Sequence, residues 1–117
     1  MSVNIDGEKV EALVEGLDAM LDHMNDSYRE WMKTDDPIKK RMCSEYHASL
    51  TYYMGKKYVK VTDGSSVKAF VVACEDDKKF QYGDILKPAG WKTPARNFRR
   101  GNVLDRTFDR VRWTGAL

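Results

Sequence analysis

Nine apolar residues between positions 10 and 31 recur at spacings of three and four: Val10, Leu13, Val14, Leu17, Met20, Leu21, Met24, Tyr28 and Trp31. That period places all of them on one face of an α-helix. Asp6 is the expected N-cap, and Glu8 and Glu11 suit the positive end of the helix dipole. Asp35-Asp36-Pro37 ends the helix, because a residue before proline is pushed out of helical geometry. A stripe this wide must be covered by the rest of the domain or by a second copy of the chain. In a chain of 117 residues the expectation is intramolecular packing, with a homodimer through this first helix as the alternative.

Beyond Pro37 the chain reads mainly as a sheet. Pro37 can open a second helix as its first residue, capped by Asp36, with Ile38, Met42 and Tyr46 on one side. Continuation to Gly55 would add Leu50 and Tyr53 to that face. The strand formers of "SLTYY" and the turn "MGKK" favour instead a short helix ending near Glu45, then a hairpin of 48–53 with 57–62. "KYVKVT" alternates like a half-buried strand, and "DGSS" is a turn. "VKAFVVAC" is apolar on both faces, as in a central strand with a helix on one side. "EDDKK" is a further turn, a strand is expected around Asp84–Lys87, and "RVRWTG" offers a short last strand. The fold class is α+β: an amphipathic helix and a short second helix packed on a small antiparallel meander. One domain spans 1–117, helical over 1–46 and sheet over 47–117.

Composition narrows the class of protein. A 42% hydrophobic share with three Trp, six Tyr and four Phe belongs to a folded globule rather than a disordered chain. No apolar run is long enough to span a bilayer, so no membrane association is expected. The N-terminus lacks the pattern of a signal peptide, making the cytosol the default compartment. There Cys43 and Cys74 are read as free thiols. Joined to His23 and His47 they lack zinc-finger spacing, so no metal is expected.

The net charge of +2 conceals a strong polarity. Residues 1–36 carry three cations against ten acids (−7), residues 37–86 carry +3, and residues 87–117 carry eight cations against two acids (+6). Much of the last excess lies in "KPAGWKTPARNFRRGN", residues 87–102, a strap in which two prolines and two glycines forbid a regular element. Lys92, Arg96, Arg99 and Arg100 alternate with Trp91, and Trp113 lies further on. Cations for phosphates with flat rings for bases are what a single-stranded nucleic acid or a nucleotide requires. Gly101 would let backbone N–H groups approach an anion. The competing reading lays the strap across the acidic first helix and buries both tryptophans as core.

A different partner, another protein, is read from the first helix. Glu11, Glu15 and Asp18 form a negative, elongated face able to imitate nucleic acid. A third reading, capture of a small nucleotide by the strap residues, needs a closed pocket. Phosphate-loop and dinucleotide-binding glycine motifs are absent, and no cofactor is expected. Cys43 and His47, four apart in "CSEYH", would share a helix face, yet no orienting acid or oxyanion hole stands at readable spacing. The acids of the first helix read as a solvated face, with His23 exposed among them. The expectation is a protein that is not an enzyme.

"KYVKV" (57–61), "GDILK" (83–87), "WKTPA" (91–95), "RRGNV" (99–103) and "RWTG" (112–115) together resemble a family of short, largely uncharacterised proteins of tailed bacteriophages. The resemblance covers the second half of the chain and leaves the acidic helix unplaced. Phe98-Arg99-Arg100 departs from it, since a small residue and a single Arg are more usual before the glycine. It implies a phage gene expressed in the cytoplasm of a host bacterium, an accessory protein, and brings no catalytic residues. On that reading the protein partner of the acidic helix would be a host bacterial protein, captured in takeover or anti-defence.

Overall fold

The computed structural model describes residues 7–32, 36–64 and 66–117. Asp6 and Asp35, expected at the two ends of the first helix, and Ser65 of the "DGSS" turn lie outside the described residues. Helix α1 (Gly7–Met32) buries Leu13, Leu17, Met20, Met24 and Tyr28 along one face. Most of the stripe therefore packs within its own chain, in one core with the sheet, while Trp31 at its end is largely exposed. Gly16 lies on that face where the chain at Val103 crosses the helix. A Cβ there would stand 2.5 Å from the Val103 carbonyl oxygen, so only glycine admits the approach.

Helix α2 (Pro37–Ser49) starts as expected. Pro37 is its first residue, and the Asp36 carboxylate accepts from the Ile38 N–H at 2.9 Å. It runs a turn beyond the expected end at Glu45. Tyr46 accounts for the difference. Its ring packs 4.5 Å from that of Tyr28, and its hydroxyl donates to the Trp113 carbonyl at 2.6 Å. Its own carbonyl accepts from Leu50 N–H and Ser49 Oγ, closing the last turn. Tertiary contacts there outweigh the strand propensity of the residues after it.

Strands β1 (Thr51–Met54), β2 (Tyr58–Thr62), β3 (Val67–Val72) and β4 (Ile85–Leu86) form an antiparallel meander in chain order. Cross-strand partners share a face, and the register assigns the two faces. Met54, Val59, Val71 and Ile85 stand in one row, and Tyr53, Lys60, Phe70 and Leu86 in another on the opposite side. The first face carries the main core with α1. The second carries a smaller cluster of Phe70, Val72, Phe80 and Leu86, flanked by Tyr58. β3, apolar on both faces as expected, is central and covered twice.

"RVRWTG" does not extend this sheet. It forms its own hairpin, β5 (Val111–Arg112) with β6 (Gly115–Ala116), turning at Trp113-Thr114. This hairpin pins both helices. The Trp113 N–H donates to Ser27 Oγ at 3.2 Å, and the Trp113 carbonyl takes the Tyr46 hydroxyl. His23 is half-buried rather than exposed, since its Nε2 meets the Val111 carbonyl at 2.8 Å and its ring lies against Phe108. No helix among the described residues is long and apolar enough to cross a membrane.

Candidate functional site: the tip of the strap on the outer sheet face

The strap has two parts with different environments. Residues 87–95 fold back on themselves as a small hairpin. Ala95 N–H donates to the Lys87 carbonyl, Ala89 and Gly90 N–H both donate to the Thr93 carbonyl, and Pro88 stands opposite Pro94. Proline at both strand positions is tolerated because neither needs a ladder donor there. Trp91 and Lys92 are left at the tip.

Residues 96–102 instead run along β4 as a further edge partner. Arg100 N–H donates to the Ile85 carbonyl at 2.7 Å, and Ile85 N–H to the Gly101 carbonyl at 2.8 Å. Gly101 has φ 139°, and a Cβ there would collide with the Thr107 carbonyl. Its role is thus close backbone packing within the fold.

The arginines of this second part are largely committed to the protein itself. Arg96 donates to Asp77 at 2.9 Å and to the Tyr58 hydroxyl at 2.5 Å, with its guanidinium over Phe80. The Asp77 side chain is almost wholly buried and also accepts from the N–H groups of Lys79 and Phe80. The Arg96 hydrogen bond, then those of Phe80 and Lys79, hold its carboxyl well below the usual carboxylate range against the opposing effect of burial. Arg99 donates to Asp84 at 3.0 Å. Asp84 also accepts from Asn102 and from the Gln81 N–H, which knots "GDILK" to "RRGN".

Arg100 is 5% exposed. It stacks 3.8 Å over Phe98 and donates to Asn97 Oδ1 and the Phe98 carbonyl. Burial, with Arg110 nearby, lowers its pKa. The strap thus docks on acids of the sheet's own loops, Asp77 and Asp84, rather than across the acidic helix.

The tip is another matter. Trp91 is 53% exposed, and Lys60 from β2 lies 4.9 Å over its ring. Beside it a shallow groove of about 300 Å³ is lined by Tyr53, Lys56, Lys57, Lys60, Phe70 and Lys92. Tyr53 is 62% exposed. Lys57 faces Asp77 at 3.9 Å, so part of its charge is answered. A second shallow groove, over Val67, Pro88 and Gly90, reaches the same tryptophan. The outer face therefore presents lysines and two exposed rings in one continuous track.

Of the six ligand residues expected from sequence, Trp91 and Lys92 lie on this track. Arg96 and Arg99 are ion-paired, Arg100 is buried, and Trp113 stands apart. Trp113 packs 5.0 Å from both Tyr28 and Trp31, on the helix side of the molecule. Tyr53, Lys56 and Lys60 were the residues missed. The signal for them was the alternation of "KYVKV" and its partner strand, which puts Lys60 and Tyr53 on one face. Glu11, Glu15 and Asp18 are exposed on α1, with the Tyr52 hydroxyl 3.5 Å from Asp18. Cys43, on α2, and Cys74, in the loop after β3, are free thiols. Among the described residues no group of His, Cys, Asp and Glu is arranged to hold a metal ion.

Fold and site define a small α+β domain with a basic, aromatic hairpin tip laid on an open sheet face. Residues 4–117 match a family of unknown function, DUF7717, and the chain belongs to that family. No curated protein and no solved structure matches it.

Proposed function

We propose that the protein is a non-enzymatic binding module for single-stranded nucleic acid, acting through the outer sheet face and the tip of the strap. The observation that supports it is the convergence of Lys56, Lys60 and Lys92 on the exposed rings of Tyr53 and Trp91. Lysines on such a track neutralise successive phosphates, and each stacked base is worth about 1–3 kcal/mol without demanding a sequence. The resemblance of its motifs supports an accessory role for a tailed phage inside a bacterial host. Titration of a labelled single-stranded oligonucleotide, followed by fluorescence anisotropy, tests the site. Lys60→Glu with Lys92→Glu should weaken binding at least roughly tenfold, from two lost and reversed phosphate contacts. Unchanged affinity in that variant rejects the reading.

A second reading, capture of a host bacterial protein by α1, is favoured by one observation. The strap leaves Glu11, Glu15 and Asp18 exposed instead of covering them. Reversing these three charges should abolish capture of a bait from host lysate while leaving the circular dichroism spectrum unchanged. Retained capture removes the idea.

A further inference from the structure

Residues of α1 and α2 together line a cleft of about 600 Å³ that shares no lining residue with the strap tip. One wall carries Asp22, Asn25 and Arg29 of α1, and the other carries Lys40, Cys43 and His47 of α2. The spacings 22, 25, 29 and 40, 43, 47 are those of single helix faces, so both rows look into the same space.

Asn25 sets this cleft apart from an ordinary seam between helices. It is only 7% exposed, and its Oδ1 has no hydrogen-bond partner. A buried amide oxygen without a donor is rare in a folded protein, and it calls for a group that supplies one. The cations nearby ask for the opposite charge. Arg29 is shared with Asp26 at 2.6 Å but remains well exposed, and Lys40 is exposed on the facing helix. A ligand that suits all of them carries an N–H donor at one end and an anion at the other. The volume is in the range of small-molecule sites and exceeds what an amino acid or a free phosphate would fill.

We propose that this cleft binds an adenine nucleotide. The Asn25 amide meets the adenine edge, its Oδ1 accepting from the exocyclic amine and its Nδ2 donating to a ring nitrogen, the pairing that asparagine makes with adenine elsewhere. Arg29, one turn of α1 away, and Lys40, on the facing helix, hold the phosphate. The site shares no residue with the sheet-face track and does not depend on it.

Cys43 lies in the lining and serves as a reporter. In Cys74→Ser protein, the alkylation rate of Cys43 by a maleimide is measured with AMP, IMP or inorganic phosphate, together with the melting temperature. AMP should slow alkylation and raise the melting temperature. IMP, which lacks the exocyclic amine, should require roughly ten- to hundredfold higher concentration for the same effect. Asn25→Leu, which removes the unanswered amide, should keep the fold and lose protection by AMP. Lys40→Glu, a surface change, should lose it as well. Equal protection by IMP or by phosphate alone overturns the proposal, as does no protection by AMP at millimolar concentration. Loss of oligonucleotide binding in the strap-tip variant leaves these results untouched, so the two sites fail or stand separately.

Discussion

Asp77 and Arg96 show how one residue pair decides what a basic segment does. The carboxylate sits beneath the strap with its side chain 1% exposed, and Arg96 answers it. Removing Arg96 takes away the charged donor and leaves Asp77 with two backbone N–H groups and the more distant Lys57, so Arg96→Ala should cost about 2 kcal/mol by urea denaturation at neutral pH. The depressed carboxyl also sets a pH dependence. The stabilisation from Asp77 is complete above the ordinary carboxylate pKa of about 4 and is lost as pH falls toward the folded value. Wild type should therefore lose more stability than Arg96→Ala between pH 6 and pH 3. Parallel profiles would show that the pair carries no such linkage. Gly101 makes a second case, since a methyl group there meets the Thr107 carbonyl at positive φ. Gly101→Ala should lower stability by about 2–4 kcal/mol. The cations of the strap were legible as composition, and their acids as charges in loops. Which cation meets which acid was not, because Arg96 and Asp77 come together only when the strap pairs with β4.

Among the elements, α1 was the most legible, since its face is written in nine periodic residues. The meander was legible from alternation in β2 and the doubly apolar β3. The end of α2 was not, because it depends on Tyr46 meeting Tyr28 and Trp113 from distant parts of the chain. The same contact gives the terminal hairpin its structural role. Tyr46→Phe removes the hydrogen bond to the Trp113 carbonyl and should cost about 1 kcal/mol. Its effect should appear as faster amide exchange at the C-terminal end of α2 and in the β5–β6 turn. Exchange confined to either element alone would mean that the two are not coupled through this side chain. The motifs "GDILK", "RRGN" and "RWTG" thus encode joints of the fold: Asp84 to Asn102, Gly101 to Thr107, and Trp113 to both helices.

Across the whole molecule the sheet separates two charges. α1, with Glu11, Glu15 and Asp18 exposed, covers one face, while Lys60 and Lys92 with Trp91 occupy the other. The sequence showed this polarity as −7 at one end and +6 at the other, and the fold turns it into opposite sides. The basic side is weaker than the count implies, because Arg96 and Arg99 are neutralised locally. An anion approaching the strap tip is repelled by α1 only through the body of the protein, and salt screens that repulsion within about 10 Å at 0.1 M. Neutralising Glu11, Glu15 and Asp18 together should strengthen oligonucleotide binding by less than about threefold at low salt and leave it unchanged near 0.15 M. A large gain at physiological salt would place the nucleic acid against the helix instead.

The most direct test of the sheet-face site is the salt dependence of single-strand binding, measured for wild type and for Lys60→Ala with Lys92→Ala. Each phosphate contact contributes about 0.7 to the slope of log affinity against log salt concentration on a single strand. Loss of two contacts should flatten the slope by about 1.4. Slopes that stay parallel, with affinity unchanged, would contradict a phosphate track on this face.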